Sequence, residues 1–188
     1  VEEDGTTTTT TATTRVADVA LGLQHGIALL EDGRVCTWGK ANRGQLGNSA
    51  GGGGENAAMP LFRSHALAVD GVGRVEKIAA GFFHCAVING DNEVFVWGKS
   101  MLMEGTTNVR DATTPRRVVG LPPQLKIIDM ACGSHHTSFL MEDGSVYGLG
   151  IATDNATPVL NEPVLMIPGG VLEMPHCYFS AGFDRTVV

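Results

Sequence analysis

The side chains best equipped for chemistry are the histidines His25, His65, His84, His135, His136 and His176 and the cysteines Cys36, Cys85, Cys132 and Cys177. Imidazoles and thiolates can ligate zinc, or pair as base and nucleophile. Neither use fits their spacing. No two cysteines form a CxxC, and the histidines follow no zinc-binding pattern. No Ser-His-Asp arrangement, phosphate-cradling glycine loop or paired-carboxylate motif appears. The sequence therefore assigns no catalytic residue, no metal ligand and no cofactor site, and the chain reads as non-enzymatic. The cysteines read as small buried thiols in a reducing compartment.

What makes the histidines informative is that they recur. Gly22-Leu23-Gln24-His25, Gly81-Phe82-Phe83-His84 and Gly133-Ser134-His135-His136 are three copies of Gly-x-x-His. Each is followed at one fixed interval by an aliphatic-aromatic run closing on glycine: Val35 to Trp38-Gly39, Val94 to Trp97-Gly98, and Val146 to Leu149-Gly150. A fourth unit opens at Phe179 with Ser180-Ala181-Gly182, and Arg185 takes the histidine position. First glycines at 22, 81, 133 and 182 give a period of roughly 50 residues, the range of propeller and solenoid repeats.

Each unit predicts strand, tight corner, strand, hairpin, strand. The first strand ends in small residues, as in Ala79-Ala80-Gly81, which suits a strand packed where sheets converge at a central channel. The hairpins carry Asp32-Gly33, Asp91-Asn92 and Asp143-Gly144, which predicts type I′ turns. A fourth, outer strand is expected over Leu61–Ala66, Arg116–Val119 and Val164–Ile167, each just after a proline (Pro60, Pro115, Pro163). The Gly51–Gly54 stretch is an insertion in the first connection, and Thr6–Thr11 belongs to a low-complexity tail. The expected organisation is a disordered Thr-rich tail over 1–15, then blades over about 16–70, 75–121 and 125–168 with a partial unit over 176–188. The fold class is all-β, a partial β-propeller of four-stranded antiparallel blades.

The residues Gly-x-x-His, Asp-Gly, Trp-Gly and the Gly44-Gln45-Leu46-Gly47 that follows Trp38-Gly39 resemble the repeat of the regulator-of-chromosome-condensation family. The resemblance covers about residues 16 to 188. Its repeat signature falls on Gly22, His25, Gly33, Trp38, Gly39, Gly81, His84, Trp97, Gly98, Gly133, His136, Gly144, Gly150 and Gly182. Departures accumulate along the chain: Met103-Glu104-Gly105 replaces Gly-Gln-Leu-Gly in the second repeat, and Leu149 replaces Trp in the third. The resemblance implies a seven-bladed propeller, so the native polypeptide is expected to continue past Val188 and to begin before Val1.

The resemblance implies a protein-interaction scaffold. The family's founder implies an alternative, guanine-nucleotide exchange on a Ras-like small GTPase, but no protruding wedge for that task is evident. A further branch implies work in mitochondrial translation or ribosome assembly, suggested by the stretch from Gly73-Arg74-Val75 to Trp97-Gly98. Light sensing through clustered tryptophans is disfavoured, since Trp38 and Trp97 both occupy the structural Trp-Gly position. A formal charge of −7 weighs against a nucleic-acid surface, and Arg116-Arg117 is the only small basic cluster. No apolar run reaches a membrane span. The expected partner is therefore a protein inside the cell, in cytoplasm or nucleus or, for the mitochondrial branch, the organelle.

Overall fold

A computed structural model describes residues 14–48, 62–102, 110–150, 160–170, 180–181 and 186–187. The Thr-rich tract up to residue 13, the Gly51–Gly54 stretch, Pro60, Leu61, Met103-Glu104-Gly105 and Gly182 lie outside them. Every regular element among the described residues is a strand. None of them is a helix long and apolar enough to cross a membrane.

Three four-stranded antiparallel sheets follow one another along the chain. The first is β1 (Val16–Leu21), β2 (His25–Leu30), β3 (Val35–Lys40) and β4 (Phe62–Val69), paired in that order. The second is β5 (Val75–Ala80), β6 (His84–Asn89), β7 (Val94–Leu102) and β8 (Arg110–Arg117). The third is β9 (Ile127–Cys132), β10 (His136–Met141), β11 (Val146–Gly150) and β12 (Leu160–Ile167). A fourth unit is represented by β13 (Ser180–Ala181) against β14 (Thr186–Val187). Strands β1 and β5, β5 and β9, and β9 and β13 are neighbours, so the first strands of the units line one axis. These are propeller blades.

The strand ladders run within a blade; side-chain packing and a few loop hydrogen bonds join one blade to the next. Between the first and second blades, Ile27, Leu29 and Val35 pack on Val75, Ile78, Val87 and Trp97. Between the second and third, Ile88, Val94 and Val96 pack on Ile127, Met130, Phe139 and Met141. The middle strand β6 is buried at every position, because its alternate side chains point into both layers. Strand β1, with no blade on its outer side among the described residues, leaves Val16, Val19 and Leu21 exposed.

Two expectations need correction. In the hairpins, φ is positive at Gly33, Asn92 and Gly144 but not at the preceding aspartates, so the turns are not type I′. The Gly33 amide donates to the Leu30 carbonyl at 2.8 Å and the Leu30 amide to the Arg34 carbonyl at 2.8 Å. That pattern, repeated at Asn89–Asn92 and Met141–Gly144, is a three-residue loop: a type I turn closed by a left-handed residue. The aspartate instead caps the loop, as where Asp143 Oδ1 accepts from the Ser145 amide at 2.8 Å. Asn92 tolerates the left-handed conformation and adds a task no glycine could perform. Its Nδ2 donates to the Leu125 carbonyl at 3.0 Å and its Oδ1 accepts from the Ile127 amide at 2.9 Å, tying the hairpin to the next blade.

Two outer strands, β8 and β12, begin earlier than expected, so Pro115 and Pro163 lie inside them, while β4 runs past the expected Ala66 to Val69. Each proline falls in a bulge. Val96 pairs with Arg116 and Gly98 with Ala112, so Thr113, Thr114 and Pro115 together face Trp97. Asn161, Glu162 and Pro163 face Leu149 in the same way, and Ser64, His65 and Ala66 face Trp38. A bulged residue needs no ladder donor, which is why proline is accepted mid-strand. Replacing Gly33 (φ 84°) with valine forces a β-branched residue into the left-handed region and places a Cβ 2.5 Å from Arg74 Cγ. Urea unfolding is expected to show a loss of about 2 kcal/mol or more; unchanged stability would remove this turn from the account.

Candidate functional site

The Gly-x-x-His corner is a hairpin whose closing pair is the glycine and the histidine. The amides of Gly22, Gly81 and Gly133 each donate to the carbonyl of His25, His84 and His136 at 2.9 Å. The imidazole folds back over its own glycine. A Cβ on Gly81 would overlap His84 Cε1 and the Gly133 carbonyl oxygen, and one on Gly22 would overlap His25 Cε1 and approach the Gly81 carbonyl oxygen to 2.5 Å. Glycine is thus required for two neighbours at once: the ring in its own blade and the backbone of the next. The glycines of the two Trp-Gly pairs and of Leu149-Gly150, Gly39, Gly98 and Gly150, have φ of 100°, 113° and 114° and lie against the corner carbonyls of Gln24, Phe83 and His135.

These histidines are poorly placed for catalysis. His84 is 1% exposed, and its Nε2 shares a hydrogen with Thr137 Oγ1 of the next blade at 3.0 Å. Burial, together with the neighbouring His25, His136 and His135, lowers its pKa to about 3. Cys85 stands at the position where the third blade has Thr137, so the second blade offers no hydroxyl there, and the buried ring nitrogens of His25 make no hydrogen bond. Burial lowers it to about 4; the His84 backbone lies close enough to oppose that fall in part without closing a bond. Both rings are neutral near pH 7. The thiols are quiet as well: burial pushes Cys132 up to about 12 and Cys85 well above the ordinary range. No cluster of three metal-ligating side chains occurs among the described residues.

The Gly44-Gln45-Leu46-Gly47 motif has a role that its sequence alone did not disclose. It forms a latch from the first blade onto the second. Trp97, fully buried, donates its indole Nε1–H to the Gln45 carbonyl at 3.0 Å, and the Cys85 thiol donates to the same oxygen at 3.5 Å. Gly47 lies against the indole, 2.6 Å from a Cβ position to Nε1, and a Cβ on Gly44 would overlap the Ala112 carbonyl. The loop is held from within: Gln45 Oε1 accepts from the Arg43 amide at 2.7 Å, and Thr37 Oγ1 donates to the Leu46 carbonyl at 2.6 Å. The motif in one blade therefore serves the tryptophan of the next. That correspondence was available in the sequence. The first blade has the motif and the second has Trp97, whereas the second lacks the motif and the third has Leu149. Trp38 packs on Gly26 within its own blade and stays half-buried.

The variable corner residues form a surface. The Leu23 amide donates to the Phe82 carbonyl at 3.3 Å, so adjacent corners are joined edge to edge. Phe82 and Phe83 meet edge-on with centroids 6.3 Å apart, and Phe82 lies 6.5 Å from the His135 ring of the next corner. Lys99 Nζ stands 5.3 Å over the Phe83 ring, and Lys40 Nζ donates to Gln24 Oε1 at 2.8 Å in the matching place on the first blade.

Two outcomes follow for stability. Trp97→Phe removes one buried donor and leaves most of the ring volume, so chemical denaturation is expected to show about 1–2 kcal/mol lost; full stability would mean the latch holds nothing. His25 and His84 bind fewer protons folded than unfolded, since both native values lie below 6.5. Their contribution is complete above about pH 6.5 and is lost as pH falls toward about 4 and about 3. Asp32 and Asp143, held below 3.8 by hydrogen bonds from Arg34 and Ser145, lose theirs only at lower pH. The unfolding free energy read from urea titrations should decline by roughly 1 kcal/mol per histidine per pH unit between about pH 6 and pH 4.5. A flat profile there would contradict the neutral buried rings.

Comparison with known proteins agrees with this geometry. The Regulator of chromosome condensation (RCC1) repeat is matched over residues 16–45 by one family profile and over 32–88 and 91–140 by a second. The guanine nucleotide exchange factor SRM1 of Saccharomyces cerevisiae is 31% identical over 142 residues, covering 72% of this chain and 28% of its own length. The ultraviolet-B receptor UVR8 of Arabidopsis thaliana is 29% identical over 175 residues, 87% of this chain and 37% of its own length. Among solved structures, human WBSCR16 superposes with a TM-score of 0.73 at 23% identity, over 93% of this chain and 44% of that one. Yeast RCC1 (Prp20), solved bound to Kap60, gives 0.69 at 22% identity, over 93% and 41%. The chain thus spans less than half the length of each of these proteins. It belongs to the regulator of chromosome condensation (RCC1) repeat family, and its sheets are blades of that family's β-propeller.

Proposed function

We propose that this chain is a protein-binding scaffold and not an enzyme. One observation carries the reading: the histidine and tryptophan of the second blade are consumed between blades, while the varying corner residues Leu23, Gln24, Phe82 and Phe83 are partly or largely exposed. His84, Trp97 and Gln45 are buried and engaged with neighbouring backbone or side chains. Leu23-Gln24, Phe82-Phe83 and Ser134-His135 occupy matched corner positions and differ in every blade. A rigid frame presenting variable loops suits recognition of a protein surface. The free thiols Cys36, Cys85 and Cys132 agree with a compartment inside the cell. Cross-linking of the full polypeptide in its own cells, with cross-linked residues mapped, tests the reading. A stoichiometric partner cross-linked to one face of the disc is expected; a polypeptide that yields no cross-link above background would overturn it.

Guanine-nucleotide exchange on a small GTPase is the second reading, and the likeness to SRM1 favours it. The structural neighbour Prp20p has binding properties toward Gsp1p and histones. Release of a fluorescent guanine nucleotide from a panel of Ras-like GTPases, Gsp1p included, measures it directly. On the scaffold reading the intrinsic release rates stay unchanged; acceleration of about tenfold or more on one member would establish exchange.

A further inference from the structure

The charges of the first two blades are distributed unevenly between the ends. The hairpin end is mixed: Glu31, Asp32, Asp70, Glu76, Asp91 and Glu93 stand there with Arg15, Arg34, Arg74, Arg116 and Arg117. The Arg34–Asp32 and Arg117–Glu93 pairs close there at 2.7 and 3.0 Å. At the corner end the described charges of these blades are Lys40, Arg43, Arg63 and Lys99, against one carboxylate, Asp111. Asp111 pairs with Arg43 at 3.4 Å. Among the described residues of these blades, a chain of net charge −7 therefore keeps a cationic surplus at the corner end.

That face is also where the aromatic corner lies. Leu23 is 53% exposed, and Phe82 and Phe83 are half-buried. Phe82 meets Phe83 edge-on and lies tilted beside the His135 ring, making one arc across two blades, and the backbone bond from Leu23 to Phe82 brings Leu23 of a third beside it. Lys40 and Lys99 flank the arc from equivalent positions after the two Trp-Gly pairs. Aromatic anchors rimmed by cations form the kind of surface that carries binding energy in protein interfaces.

We infer that the corner face docks an acidic linear segment of a protein partner, with one or more of its apolar side chains set on the Leu23–Phe82–Phe83 arc and its carboxylates on Lys40 and Lys99. The inference rests on the scaffold reading and names the chemistry of its partner. A nucleic acid is the poorer occupant. Four cations, one of them already paired, fall short of the six to ten phosphate contacts that typically sustain binding, and the overall charge repels a polyanion. A short acidic peptide needs only a few such contacts and adds the apolar ones.

The probe is a fluorescein-labelled peptide alternating Asp or Glu with Leu and Phe, beside the same peptide with every carboxylate replaced by Lys. Fluorescence anisotropy with the full polypeptide should show saturable binding of the acidic peptide and at least about tenfold weaker binding of the basic one. The double variant Lys40→Glu/Lys99→Glu should weaken the acidic peptide by at least about tenfold, and rising salt should weaken it in the unaltered protein. Arg34→Glu, at the opposite end, should leave it unchanged. Phe82→Ala tests the apolar half, with thermal unfolding confirming that the blades persist. Equal binding of both peptides, undiminished binding by the double variant, or tighter binding of an oligothymidylate would overturn the inference. If a partner cross-links at the hairpin face while the acidic peptide fails to bind, the corner docking falls and the scaffold stands. If neither occurs, both fall.

Discussion

The structure depends on one constraint: a four-stranded blade has two faces and must bury both. Strand β6 shows it most plainly, with all six positions buried from His84 to Asn89. A strand that turns Cys85 and Val87 one way and Ala86 and Ile88 the other is stable only between two neighbours. No main-chain ladder joins the blades, so the join must be made by packing and by a few directed hydrogen bonds. The glycine corners, the Trp97 latch and the Asn92 side chain are separate solutions to that one problem, placed respectively at the axis, the rim and the hairpin end.

The same constraint explains which residue types recur. At the axis the blades converge, so a corner glycine yields its Cβ space to an imidazole of its own blade and a carbonyl of the next. Histidine suits the position because a neutral ring is flat, spans the gap and can hydrogen-bond at its far edge, as His84 does to Thr137. His25 shows what happens when the receiving hydroxyl is absent: the ring remains for its packing and leaves both nitrogens unpaired, a condition that typically costs a few kcal/mol. At the rim the blades diverge and the gap must be filled by something larger. There the indole of Trp97 and the loop that receives it take over, and the bulge in the outer strand opposite the indole widens the sheet at the same level.

Strand order, the hairpin positions and the inner location of the Ala-Gly strands were legible because each follows from local patterning at a fixed spacing. The turn type was not. Asp-Gly is compatible with two loop geometries, and the choice between them rests on whether the aspartate or only its successor has positive φ. The extent of the outer strands was hidden by Pro115 and Pro163, which as strand residues argue for a boundary and as bulge residues do not. The function of Gly44-Gln45-Leu46-Gly47 was hidden for a different reason. Its partner lies in another repeat, and the group that binds Trp97 is a main-chain carbonyl that any sequence possesses. Only the matched loss of the motif and of the tryptophan one blade later pointed to the contact.

A frame built this way separates structure from recognition at the level of single positions. Within Gly-x-x-His, the outer two residues are committed to neighbouring blades and the inner two are free to change. Leu23 and Phe82 can differ because the backbone bond between their corners, amide to carbonyl, does not involve their side chains. The residue after each Trp-Gly has the same freedom, since Gly39 and Gly98 make the close approach and Lys40 and Lys99 merely follow it. Variation at these places costs the fold little, so they can accumulate the aromatic and cationic groups that a binding face requires. The cationic corner end is consistent with that division, because its charges lie outside both inter-blade cores and nothing in the packing dictates their sign.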